Sequence, residues 1–161
     1  MAEYKLSRNV EKSIIDYLTA ELATDGWTGI FVEKVFAQIY SETNPSFPAI
    51  LVAVSNRPEK RREVGSSSLS GFVNLEIRVF ATGDGLRLDL SDFLLEKIMP
   101  GIPYYAYTIT SGVVSEKTLA GRIVILEITA NRKELVNLEN LALQDKFRHL
   151  LSLRCRVAIT S

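Results

Sequence analysis

Apolar residues recur at three- and four-residue spacing from Ser7 to Ala23. Val10, Ile14, Tyr17, Leu18 and Leu22 fall on one stripe, which predicts a helix with Ser7 as its N-cap and Gly26 as its stop. Ile30 to Tyr40 fits two readings: Phe31, Val35 and Ile39 have helical spacing, while the β-branched and aromatic content suits an extended chain. Asn44-Pro45-Ser46-Phe47-Pro48 reads as a turn, because proline fixes φ and lacks an N–H donor. The apolar, β-branched run Ala49 to Val54 then predicts a buried strand.

Gly71 to Phe80 carries the clearest alternation. Val73, Leu75, Ile77 and Val79 share one face, and Asn74, Glu76 and Arg78 the other. Leu86, Leu90, Phe93, Leu94 and Ile98 predict a second amphipathic helix, ended by Met99-Pro100-Gly101. Tyr104 to Val114 and Gly121 to Thr129 read as strands joined by a hairpin at "SEKTLAG". In the final strand, Arg148 to Ser161, Leu151, Leu153, Cys155, Val157 and Ile159 face one way, and Ser152, Arg154 and Arg156 the other. Strands outnumber helices and tend to neighbour their hairpin partners. The expected fold is α+β, a mainly antiparallel sheet with two helices on one face. The whole chain, 1–161, reads as one domain with a flexible loop at 57–70 and a polar arm at 131–146.

Charge and cysteine content narrow the function. Nineteen basic residues balance nineteen acidic ones, unlike the strongly basic balance of a protein whose main task is to wrap nucleic acid. A single cysteine, Cys155, allows no internal disulfide and no cysteine-based metal site, which fits a reducing compartment. The N-terminal residues show no signal-peptide pattern, and no apolar run approaches the length of a membrane span, so no membrane partner is expected.

The stretch "RVFATGDGL" invites a phosphate-loop reading, since a strand runs into Gly83-Asp84-Gly85 and a helix follows. The motif is incomplete. A P-loop needs Lys-Ser/Thr after its last glycine, where Leu86 stands, and a dinucleotide fingerprint needs a third glycine, where Leu88 stands. The expected role is a strand-to-helix corner, with a glycine at positive φ and Asp84 or Asp89 capping the helix. His149 has no partner at ligand spacing and reads as a surface or partner-contact residue, and Cys155 as a small core residue. Glu76, Asp84 and Glu127 are candidate acid–base carboxylates, but no spacing brings two of them together. The expectation is no catalytic residue, no metal and no cofactor.

What remains is recognition. Arg57, Lys60, Arg61 and Arg62 form a basic stretch offset by Glu59 and Glu63, suited to an acidic surface or to DNA phosphates. The polar strand faces offer Arg78, Arg154 and Arg156 as a positive interface set; Glu76, Glu127 and Asp89 form the negative one. Tyr104, Tyr105 and Tyr107 read as packing residues rather than base-stacking ones.

The layout of an N-terminal helix, "NPSFPAILVAVS", a polar loop, "GFVNLEIRVFATGDGLRLDLSDFLLEKI" and two late strands resembles the tail terminator, or tail-completion, proteins of lambda-like long-tailed bacteriophages, those of T-five-like siphophages included. The resemblance covers most of the chain as a layout, and the strand-turn-helix from Gly71 to Ile98 is its most telling piece. It implies a non-enzymatic virion protein that closes the end of the tail tube as a ring, expected to be a hexamer. Its implied partners are further copies of itself, the tube protein and a head completion or connector protein, with incidental contact to viral DNA. The implied location is the head-proximal end of the tail, reached from the host cytoplasm during assembly. Two other classes remain open: a head–tail connector or other phage adaptor, and a small nucleotide-binding enzyme.

Overall fold

The computed structural model describes residues 5–33, 48–58, 71–134 and 147–159. The turn residues 44–47, the basic residues Lys60, Arg61 and Arg62, the serine run 66–68 and positions 135–146 of the expected arm lie outside the described residues. The elements are α1 (Leu6–Thr24), β1 (Phe31–Glu33), β2 (Ala49–Asn56), β3 (Phe72–Ala81), α2 (Asp84–Ile98), β4 (Ile102–Thr110), β5 (Val113–Lys133) and β6 (Phe147–Ile159). All six strands join one sheet in the order β1-β2-β3-β6-β5-β4. Among the described residues only the short β1–β2 pairing is parallel, so the α+β, mainly antiparallel architecture is the observed one.

The two predicted helical stripes form one core against a single face of the sheet. Val10, Ile14 and Leu18 of α1 meet Leu90, Leu94 and Ile98 of α2 over Val73, Leu75, Ile77 and Val79. The Tyr17 hydroxyl donates to the Lys97 carbonyl at 2.8 Å and ties α1 to the end of α2. A smaller cluster, Ala49, Leu51 and Phe80, lies on the opposite face.

Helix α1 does more than cover the sheet. Ser13 Oγ accepts the Tyr105 N–H at 2.9 Å, and Asn9 Oδ1 accepts the Tyr107 N–H at 3.4 Å. Arg8 donates to the Tyr107 carbonyl at 3.0 Å. These groups lie along the outer edge of β4, which has β5 on its other side. Near the other end of the sheet, the Val54 N–H of β2 donates to Glu11 Oε1 at 2.9 Å. Three strands separate β2 from β4, yet one helix reaches both, so the sheet curls around α1.

Several local expectations are overturned. The hairpin turn is not at SEKTLAG but at Ser111-Gly112, where both residues have positive φ, 51° and 78°, as a two-residue turn joining twisted strands requires. SEKTLAG lies inside β5, so Val113 and Val114 belong to β5 rather than to the preceding strand. Helix α1 is preceded by Lys5 rather than capped by Ser7, and α2 by Gly83 rather than Asp84 or Asp89; neither cap makes a side-chain hydrogen bond. Gly83 has φ −158°, an ordinary extended value, and Gly85 is helical, so the corner uses no positive-φ glycine. The ambiguous stretch from Ile30 contains strand β1, which pairs in parallel with Ala49 to Leu51. Asn131 to Lys133 are not arm but the end of β5, paired with Leu151 to His149. Ile159 keeps the parity of the apolar face but is 45% exposed at the strand end, past the covered core.

Candidate interface

The sheet face turned away from the helices collects five of the seven described residues singled out from sequence as interface candidates, Glu76, Arg78, Glu127, Arg154 and Arg156. On β3, Phe72, Asn74, Glu76, Arg78 and Phe80 alternate with the core residues, and β6 sets Arg156, Arg154, Ser152, Leu150 and Arg148 directly across from them. Strand β5 adds Val124 beside Arg156 and Glu127 beside Arg154. A groove of about 510 Å³ crosses this face, with Asn74, Glu76, Glu127, Thr129, Ser152 and Arg154 in its lining.

The charges on this face differ in availability. Arg78 donates to Glu76 at 2.7 Å and to Glu134 at 3.1 Å. Burial pulls the Arg78 guanidinium down, but the bonds to Glu134 and Glu76 outweigh it, and the net effect raises it. Arg78 and Glu76, expected on opposite sides of an interface, thus neutralise one another within the subunit. Arg154 and Arg156 are exposed, and their guanidinium carbons lie 5.4 and 5.9 Å from the Phe72 ring centroid. This contact orients two cations outward without neutralising them. Glu127 is also exposed, and among the described residues it carries no ion pair with Arg154.

The other candidates disperse. Asp89 is exposed on α2, in the layer on the far side of the sheet. Arg57 lies just past the end of β2, where it is half-buried. Glu76 and Glu127 line the same groove, but Asp84 sits at the start of α2, so the three carboxylates do not converge. Among the described residues, no three His, Cys, Asp or Glu side chains group as a metal site would require. Cys155 is buried and has its thiol pushed up to about 12 by desolvation.

The sequence reading missed one buried polar cluster. His149, expected at the surface, is only 5% exposed. Arg87 Nη1 lies 2.6 Å from its Nδ1, and Asn131 Oδ1 lies 2.6 Å from its Nε2. Arg87 also binds Asp84 at 2.9 Å, which lowers that carboxyl through the hydrogen bond and the neighbouring positive charge. The partners come from α2, β5 and β6, far apart in the chain, so only the folded arrangement reveals them. Tyr105 and Tyr107 behave as packing residues. Lys117 stands over both rings, at 4.3 and 5.9 Å from their centroids, and Tyr107 donates to Asp16 at 2.6 Å.

No family model matches the sequence, and no curated protein matches it. Among solved structures, the chain is similar in fold to a chain of the virion of a native gene transfer agent (GTA) particle. The TM-score is 0.50 with 14% sequence identity, over 99% of this chain and 100% of that one.

Proposed function

We propose that this protein is a virion structural component, a tail terminator that closes the end of a phage-like tail tube as a ring and presents the surface on which the head connector docks. The observation that carries this reading is the fold likeness to a virion chain over nearly the whole of both chains. The sequence layout, which resembles the tail terminators, agrees with it. In this role every step is binding, and no cofactor takes part. Identical subunits closing a ring meet through two different surfaces, one face of each against another face of the next. The proposed partners are further copies of the chain, six in all by the resemblance, together with the tube protein and the connector. The outward cations Arg154 and Arg156 and the nearby Glu127 belong to these contacts, with Arg57, Glu76 and Arg78 at their margins; Asp89, in the helical layer across the sheet, stands apart from them. Contacts of this charged kind weaken with salt, since the Debye length is about 10 Å near 0.1 M.

The test is to mix purified protein with tail tubes and image the tubes by negative stain. Caps at one end, with tube growth halted, are expected. Binding to portal-connector complexes and not to tube ends would move the assignment to a head–tail connector. Magnesium-dependent turnover of a nucleotide would overturn the structural reading altogether.

A further inference from the structure

Among the described residues, the long strand β5 has two edges with no strand beside them, and they lie on opposite sides of it. Strand β6 pairs with β5 only from Gly121 to Lys133, and β4 pairs with β5 only from Val113 to Ile123. From Val124 to Lys133 the side that β4 would occupy has no strand beside it among the described residues. From Val113 to Leu119 the side that β6 would occupy is equally bare. Gly121 marks the changeover, where the backbones crowd so closely that a Cβ would run into the Ala158 carbonyl.

Unpaired edges invite another chain, and soluble proteins normally blunt them. This protein does so elsewhere. Asn9, Ser13 and Arg8 occupy the outer edge of β4, and Glu11 takes the Val54 N–H of β2. Both bare edges of β5 instead carry exposed apolar side chains: Val124, Leu126 and Ile128 at 39, 49 and 38%, and Val113 and Leu119 at 68 and 61%. The local charges differ too. At the hairpin tip Lys117 is already held by Asp16 at 3.6 Å, which leaves the exposed Glu116 as the tip's outward charge; at the far end of β5 Lys133 is likewise held by Asp84 at 4.0 Å, which leaves the exposed Arg132 as the outward charge.

We propose that β5 is the self-assembly strand: the Val113–Leu119 edge of one copy adds to the Val124–Lys133 edge of the next, extending the sheet from subunit to subunit. The occupant is a second copy because the chain itself carries both halves of the contact, on opposite sides of one strand and of complementary charge. Two unlike edges make a head-to-tail contact, the kind that closes into a ring when the rotation permits. This deepens the ring reading and rests on it for the closure, while the pairing itself is tested apart from any tube.

The experiment uses the full chain and two variants at exposed positions, Leu119→Lys and Leu126→Lys, with circular dichroism verifying the fold of each. Native mass spectrometry of the wild type over rising concentration is expected to show oligomers growing toward a closed ring. Each variant alone is expected to be monomeric, because a lysine blocks one edge. Mixed in equal amounts, the two variants are expected to give a one-to-one dimer and nothing larger, since one intact edge of each kind remains between them. A folded wild type that stays monomeric throughout, or a folded variant that still builds the wild-type oligomer, would overturn the proposal. So would a Leu119→Lys protein that dimerises by itself while Leu126→Lys does not, the sign of a two-fold contact through the Val124–Lys133 edge alone. A head-to-tail oligomer that forms in solution but never caps tubes would keep this pairing and refute the terminator role instead.

Discussion

Arg87 Nη1 and His149 Nδ1 lie 2.6 Å apart inside the protein, where α2 begins and β5 and β6 meet. An arginine is always a donor, so this contact makes His149 Nδ1 the acceptor and assigns the ring proton to Nε2, which donates to Asn131 Oδ1 at 2.6 Å. The neutral ring is therefore the form that the fold holds. Protonation would place a second donor against Arg87.

Stability follows from that geometry. Burial lowers the His149 pKa from its ordinary 6.5, the Arg87 charge lowers it further, and Asp92 opposes weakly. A depressed folded pKa means that the unfolded chain binds the proton first. The contribution is full above pH 6.5 and is lost as pH falls through the folded value. Urea midpoints should decline as pH falls below 6.5, and His149→Gln should flatten that decline. An unchanged slope in the variant would assign the acid sensitivity to other groups.

The edge contact of α1 predicts a stability loss with a clear origin. Ser13 is fully buried and both accepts from the Tyr105 N–H and donates to the Tyr105 carbonyl. Ser13→Ala strands a half-buried backbone amide, which should cost about 1–2 kcal/mol in urea unfolding. Thr19→Ala, whose hydroxyl bonds its own helix at the exposed surface, should change little by the same measurement.

The Gly83-Asp84-Gly85 corner makes an opposite prediction. Gly85 is helical, and a Cβ there meets nothing within 4 Å. Gly85→Ala should therefore stabilise the protein by about 0.5–1 kcal/mol, read as a rise in Tm. A fall in Tm would mean that this position needs the freedom of glycine after all.

At the β4–β5 turn, Ser111 is the one described non-glycine residue with positive φ. Asn tolerates that backbone better than Ser, so Ser111→Asn should add about 0.5–1 kcal/mol, whereas Gly112→Val should remove about 1–2 kcal/mol. Thermal melts of the two variants should move in opposite directions.

Arg78 and Arg154 separate fold from interface. Arg78→Glu places a third carboxylate beside Glu76 and Glu134 and should lower Tm by several degrees. Arg154→Glu and Arg156→Glu should leave Tm nearly unchanged and reduce tube capping, with tubes overgrown. Normal capping by both folded variants at physiological salt would put Arg154 and Arg156 outside the interface.

Periodicity alone determined the two helices, the β3 alternation and the core parity of β6. Burying an apolar stripe is a local demand, and Val10, Ile14 and Leu18, like Val73 to Val79, meet it whatever lies opposite. Position along the chain did not reveal how β5 is shared. Its two halves have different neighbours, and its bulges near Leu126 and Thr129 break the two-residue alternation from which a strand is read. The turn was missed because Ser111-Gly112 is a weaker signal than the longer polar SEKTLAG run, although only the former has the backbone angles that a tight hairpin needs. The burial of His149 and the pairing of Arg78 with Glu134 were decided by tertiary structure alone. Each depends on a contact across many intervening residues, and a charge or an imidazole looks the same in sequence whether it meets water or a partner.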